Sequence, residues 1–112
     1  MTECIFCAIV RGDVRSARVA ESATTLAFRD IAPKAPVHIL VIPKAHYESL
    51  IAVPDGRVLG NMVELALEVA RTEGIAETGF RTVINTGADG GQTVGHLHLH
   101  LLGGRPLEWP PG

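Results

Sequence analysis

Residues 96–102 read His-Leu-His-Leu-His-Leu-Leu, with Gly95 before them and Gly103-Gly104 after. This stretch limits the possible folds more than any other. Side chains alternate sides along a β-strand, so His96, His98 and His100 share one face, neighbours roughly 7 Å apart, while the leucines point the other way into a core. A helix cannot do this: it turns His98 about 200° away from His96, and no small ligand would meet all three imidazoles. Lys, Thr or Glu would solvate an exposed strand face equally well. Histidine adds titration near neutral pH and an unprotonated nitrogen able to attack or to bind a metal. The pattern predicts a strand with one apolar face and one chemically active face.

A chain of 112 residues is the size of one domain, 1–112, and buries roughly two thirds of its unfolded surface without disulfide staples. With 46% hydrophobic and 20% charged residues it is of ordinary globular composition, which excludes disorder for its body. A net charge of −2 supplies no field that would draw a polyanion. No nucleic acid or membrane partner is therefore expected, and any phosphate site must be local. Met1-Thr2-Glu3-Cys4 lacks a basic leader region, and no apolar run approaches the ~18 residues of a membrane span, so the expected location is cytoplasmic.

Along the chain, the apolar stretch from Cys4 to Val10 predicts one or two helical turns, ended by Arg11-Gly12-Asp13. Val19–Glu21 and Leu26–Asp30 read as a hairpin around Ser22-Ala23-Thr24, and His38–Pro43 as a third strand. Val58, Leu59, Met62, Val63, Ala66, Leu67, Val69 and Ala70 form a helical stripe that Gly74 closes. Phe80–Asn85 is the fourth strand and the histidine segment the fifth. The order β, β, β, α, β, β predicts an α+β fold: a five-stranded antiparallel sheet, one long helix and a short N-terminal helix.

Cys4 and Cys7, the only cysteines, are spaced Cys-x-x-Cys. That spacing fits half of a zinc site, a redox pair or chance. A redox pair follows a strand and opens a helix, which the three residues before Cys4 do not provide. A zinc site needs two more ligands, available among His38, His46, His96, His98 and His100. Between the last two strands, Asn85-Thr86-Gly87-Ala88-Asp89-Gly90-Gly91-Gln92-Thr93-Val94 carries three glycines that let backbone N–H groups approach an anion, with Gln and Thr side chains to add donors. It lacks the Gly-Lys-Ser/Thr of a P-loop. Glycine-rich turns are common, but this one feeds directly into a row of imidazoles. Phosphate donors beside a nitrogen nucleophile are what phosphoryl or nucleotidyl transfer requires.

The alternating motif at 96–102 resembles the histidine triad (HIT) superfamily. Several segments narrow the resemblance to its Hint branch of nucleoside phosphoramidases: Ile5-Phe6, Phe28-Arg29-Asp30-Ile31, Ala35-Pro36-Val37-His38, Val41-Ile42-Pro43-Lys44, Gly90-Gly91-Gln92, Gly103-Gly104-Arg105 and Trp109-Pro110-Pro111-Gly112. The resemblance covers Cys4 to Gly112. It implies a homodimer whose two sheets join, binding purine nucleoside monophosphates and hydrolysing adenosine 5′-phosphoramidates through a nucleotidyl-histidine. On this resemblance His98 is the nucleophile, His100 contacts phosphate and leaving group, His38 orients the triad from behind, and Thr93 positions the departing amine. Asn85, Gly91, Gln92 and Val94 hold the phosphate, and Asp30 accepts from the ribose hydroxyls. Ile5, Phe6, Ile9, Phe28 and Ile31 form an apolar slot for the purine, although Ile9 and Ile31 taken singly read as ordinary core. The resemblance also implies a closed structural zinc site of Cys4, Cys7, His46 and His96.

Two positions depart from the branch. Thr93 stands where Ser is common, and Gly95 where an aromatic residue is frequent, so the leaving-group preference is open. Competing functions are a dinucleoside polyphosphate hydrolase of the Fhit-like branch and a uridylyltransferase-like activity, disfavoured by His100 in place of Gln. A zinc-stabilised nucleotide sensor or adaptor without catalysis is the third.

Overall fold

Alternation is clear in the histidine segment yet missing from the third strand, and two-sided burial explains why. In the computed structural model, which describes residues 4–112, the elements are α1 (Ile5–Arg11), β1 (Arg18–Glu21), β2 (Thr25–Arg29), β3 (Val37–Pro43), α2 (Arg57–Thr72), β4 (Phe80–Val83) and β5 (Leu99–Gly103). A short 3-10 turn at Leu50–Ala52, not anticipated from the sequence, precedes α2. The strands form one antiparallel sheet in the order β1-β2-β3-β5-β4. The fold is α+β, as its composition of elements predicts.

α2 covers one face of the sheet. Met62, Leu65, Ala66, Val69 and Ala70 are buried there with Ala27, Ile39, Val41, Leu97, Leu99 and Leu101. On the other face α1 packs Phe6 and Ile9 against Leu26, Phe28, Leu40 and Ile42. Central strands with partners on both faces need apolar side chains at every position, so β3 reads as a continuous run. The helical stripe has the expected period but a shifted phase: Val63 and Leu67 face outward and Leu65 faces in. Beyond Glu73, Gly74 adopts φ 76°, while its N–H reaches Arg71 O and that of Ile75 reaches Ala70 O. These two bonds make a Schellman stop, which needs a residue tolerant of the left-handed conformation.

The histidine segment departs from expectation in one respect. The ladder starts at Leu99, paired with Val41, so of the three histidines only His100 belongs to β5. Continuing the register would set Leu97 opposite Pro43, which has no N–H to give, and the Pro43 carbonyl is occupied by the His96 ring. The Leu97 N–H turns instead to Tyr47 O at 2.7 Å. The alternation survives outside the ladder: Leu97, Leu99 and Leu101 all enter the α2 core. The fourth strand likewise ends at Val83, short of Asn85, whose side chain turns to hold Gly90 O at 2.7 Å.

Candidate active site

The N-terminal turn brings the two cysteines to the start of the histidine segment. Cys4 caps α1, its sulfur accepting from the Cys7 N–H. Cys4 Sγ lies 3.3 Å from His96 Nδ1, Cys7 Sγ lies 3.3 Å from His46 Nδ1 and 3.6 Å from His96 Nδ1, and the two Nδ1 atoms are 3.2 Å apart. Tetrahedral zinc with Zn–N near 2.0 Å and Zn–S near 2.3 Å sets neighbouring donors roughly 3.3–3.8 Å apart, so the quartet fits zinc closely. His96 donates its Nε2–H to Pro43 O at 2.9 Å, which leaves Nδ1 bare as a ligand must be. Burial pushes the His96 imidazole below its ordinary pKa and so favours the same neutral form.

Two residues on, the protons fall into place by the same logic. A carbonyl can only accept, so the 2.7 Å contact between His98 Nδ1 and His96 O puts the His98 proton on Nδ1 and leaves Nε2 with a free lone pair. A backbone N–H can only donate, so Lys34 N–H at 2.9 Å from His38 Nδ1 puts the His38 proton on Nε2. That proton is donated to His100 Nδ1 at 2.9 Å, with Asp30 Oδ2 3.4 Å away. His100 is thereby left carrying N–H at Nε2. The His98 and His100 rings are 5.0 Å apart, and Phe6 meets His98 edge-on at 5.3 Å. One lone pair and one N–H thus stand side by side. The loop that bears Lys34 is anchored from β5's far end, where Arg105 donates to Lys34 O at 2.8 Å.

Burial, with His98 and His38 as further causes, pushes the His100 pKa from 6.5 to about 4. Burial also lowers that of His38. The unfolded chain therefore binds the His100 proton between pH 6.5 and about 4 while the folded one does not. This neutral histidine supports stability above pH 6.5, and the support fades as pH falls towards 4, by about 3 kcal/mol at most. Urea unfolding of wild type and His100→Gln from pH 7 to 4 should show a flatter pH dependence in the variant. Parallel curves would remove His100 from this role.

A cleft of about 370 Å³ opens over these rings. Of the predicted site residues, Ile5, Phe6, Ile9, Phe28, Asp30, Ile31, Thr93, Val94, His98 and His100 line it. Phe6, Ile9 and Phe28 are buried members of its apolar wall, Ile5 is half-exposed, and Ile31 stands out at the rim, almost wholly exposed. His38 is outside the lining and sits behind His100, 2.9 Å from its Nδ1. Asn85, Gly91 and Gln92 do not reach the lining. The Asn85 amide holds Gly90 O. Gly91 N–H goes to Ala88 O and Gln92 N–H to Gly87 O, while the Gln92 side chain binds Gly87 N–H, Glu48 O and Val94 O. These groups are spent on bonds within the turn and to Glu48, and the loop presents Thr93 and Val94 to the cleft in their place.

Sequence reasoning missed Val14, Arg15, Ser16, Arg29 and Leu40 in the lining. Leu40 was accessible to it, since period two puts residue 40 on the face of His38. Val14, Arg15 and Ser16 follow the α1 stop in a loop with no local signal. The Ser16 hydroxyl is buried beside the apolar wall with no hydrogen-bond partner among the described residues.

The HIT domain model matches residues 11–107. An uncharacterised HIT-like protein of Synechococcus elongatus is 52% identical over 110 residues, 96% of each chain. The purine nucleoside phosphoramidase of Escherichia coli K12 is 45% identical over 107 residues, 94% of this chain and 90% of its own. A HIT family hydrolase from Legionella pneumophila superposes with a TM-score of 0.95 at 46% identity, covering 98% of this chain and 100% of that one. A zinc-bound histidine triad family protein from Mycobacterium smegmatis gives 0.83 at 36% identity, with 91% and 75% covered. Sheet, histidine segment and hydrolase relatives coincide over nearly the whole length, and the chain belongs to the HIT domain family.

Proposed function

We propose that the protein hydrolyses the P–N bond of purine nucleoside 5′-phosphoramidates, adenosine derivatives included, through a covalent nucleotidyl-histidine. The observation that carries this reading is the pair of main-chain contacts that fix opposite tautomers, Nδ1–H on His98 and Nε2–H on His100. His98 Nε2 attacks the α-phosphorus as the P–N bond breaks, and the nitrogen keeps the bonding electron pair. The departing amine takes a proton from solvent while the His100 Nε2–H, oriented by His38 and Asp30, donates a hydrogen bond to the leaving group. Water then cleaves the nucleotidyl-histidine, freeing the nucleoside monophosphate and returning a proton to solvent.

Thr93 and the backbone at Val94 position the phosphate and leaving nitrogen, with Asn85, Gly91 and Gln92 shaping the loop that presents them. Asp30 accepts from the ribose. Phe6, Ile9 and Phe28, with Ile5 and Ile31 at the mouth, hold the purine, and the Ser16 hydroxyl, without a partner among the described residues, gives its edge a polar neighbour. Cys4, Cys7, His46 and His96 would hold zinc in a closed shell, supplying a cross-link between α1 and the nucleophile's segment and leaving no open position for a reactant. A homodimer with joined sheets is supported by β4, which has a strand neighbour on one side only, and by outward-facing Val63 and Leu67.

The reading is tested by turnover of an adenosine 5′-phosphoramidate bearing a fluorescent amine against that of a dinucleoside polyphosphate. The phosphoramidate should have the higher kcat/KM. The reverse order would favour the Fhit-like activity, and tight nucleotide binding with neither substrate cleaved would favour a sensor.

A further inference from the structure

Arg105 lies outside the cleft lining and borders a separate cavity of about 640 Å³ with Val37, Glu73 and Thr78. Its guanidinium nevertheless reaches the loop behind the histidines, donating from Nη2 to Lys34 O at 2.8 Å and from Nη1 to Pro106 O at 3.0 Å. Resting on the phosphoramidase reading for what the site acts on, we infer that Arg105 is a positioning residue: by holding Lys34 it keeps His38 and His100 in the tautomers that turn an N–H towards the leaving group.

Three observations support it. First, the contacts run in series. Arg105 holds the Lys34 carbonyl, the Lys34 N–H goes to His38 Nδ1 at 2.9 Å, and His38 Nε2–H goes to His100 Nδ1 at 2.9 Å. Pro33 and Pro36 bring no N–H with which to anchor this loop, and the Lys34 ammonium binds only within it, to Ala32 O at 2.7 Å. Arg105 ties the loop to the end of β5.

Second, the chain is shaped to bring Arg105 there. Val37 pairs with Gly103, and Gly104 then turns with φ 91°. A Cβ on Gly104 would lie 2.9 Å from Pro36 Cβ, so only glycine lets the two segments meet this closely. Third, the bonds use the guanidinium fork. One nitrogen holds the side chain against its own backbone at Pro106 while the other reaches Lys34, an arrangement that a single ammonium cannot reproduce in full.

The protons of the two histidines are linked. Without the Lys34 N–H, His38 Nδ1 is free to take the proton, and Nε2 becomes an acceptor. A neutral His100 must then offer Nδ1–H to it and turn a bare Nε2 to the cleft. Attack by His98 is untouched, but the leaving group loses its donor. Asp30 Oδ2, 3.4 Å from His38 Nε2, still favours the original arrangement, which limits the loss.

Arg105→Ala and Arg105→Met both remove the donors, and the second keeps the aliphatic stem should the first fail to fold. Calorimetric binding of adenosine monophosphate reports that each variant is folded. Long-range proton–nitrogen NMR correlations distinguish the two tautomers of an imidazole. Wild type should show Nε2–H at His38 and His100, and both variants a mixture with Nδ1–H. Their kcat for an adenosine 5′-phosphoramidate of an alkylamine should fall by about tenfold at unchanged KM, and Arg105→Lys, which restores one bond, should recover about half of that loss on a logarithmic scale. The p-nitrophenyl ester of adenosine monophosphate, whose leaving group departs without a donor, should lose less than about twofold. Wild-type tautomers in the variants, or an equal fall on both substrates, would overturn the role of Arg105 and leave the P–N reading standing. If wild type cleaves the ester but not the phosphoramidate, the P–N reading falls, and the tautomers, observed without substrate, still decide what Arg105 does.

Discussion

Alanine in place of His98 should reduce phosphoramidate turnover by about four orders of magnitude or more, because in the proposed mechanism it removes the atom to which the nucleotidyl group is transferred. The size of the loss separates two mechanisms. If His98 only activated a water, its removal would cost about 10²–10⁴-fold, the usual worth of a general base, and no adduct would form. Acid-quenched wild type mixed with excess substrate should show a mass increase of one nucleotidyl group, mapped to His98, that the variant lacks. His98→Gln, which fills more of the space against Phe6, serves as a check that packing is not the cause. A loss below about a hundredfold, with no trapped adduct, would exclude the nucleophile role.

Loss of the metal quartet should have the second largest effect, and on stability first. Cys4→Ala leaves three donors, removes the cap of α1 and uncouples that helix from residues 46 and 96. Binding free energy at a structural zinc is folding free energy, so a loss of several kcal/mol, or roughly 10–20 °C in Tm for a chain of this size, is expected. Native mass spectrometry should find one zinc per chain in wild type purified without chelator and none in the variant. Hydrogen exchange should rise first in α1 and then near His98, since Phe6 packs edge-on against both His96 and His98. A metal-free wild type with the same Tm as the variant would end the zinc assignment.

Much of this fold is visible in the sequence because its elements answer to local periodicities. Leu97, Leu99 and Leu101 face the α2 core as their spacing requires, and the α2 stripe has the right period. Its phase was harder to read, because Val63 and Leu67 are as apolar as Leu65 and only the sheet beneath decides which are covered. The ladder's late start depended on a proline 54 residues upstream of Leu97, a pairing that no local window contains. The metal quartet has the same character: residues 4, 7, 46 and 96 meet only once β3, β5 and α1 are packed, and a family resemblance, not spacing, named the set. The glycine-rich loop looked like a source of amide donors. Its internal bonds at Gly87, Gly91 and Gln92 depend on a turn geometry that composition does not specify.

The tautomers were wholly hidden, and they have a consequence for how such a site can be mapped. The groups that decide where each proton sits are Lys34 N–H, His96 C=O and Pro43 C=O, all of them main-chain atoms. Changing the side chain at position 34 leaves its N–H where it was. A saturation scan of this gene would therefore score position 34 as tolerant to most replacements other than proline, although its amide sets the protonation of two histidines. Backbone ester substitution, which swaps that one N–H for an oxygen, is the perturbation that would reveal it.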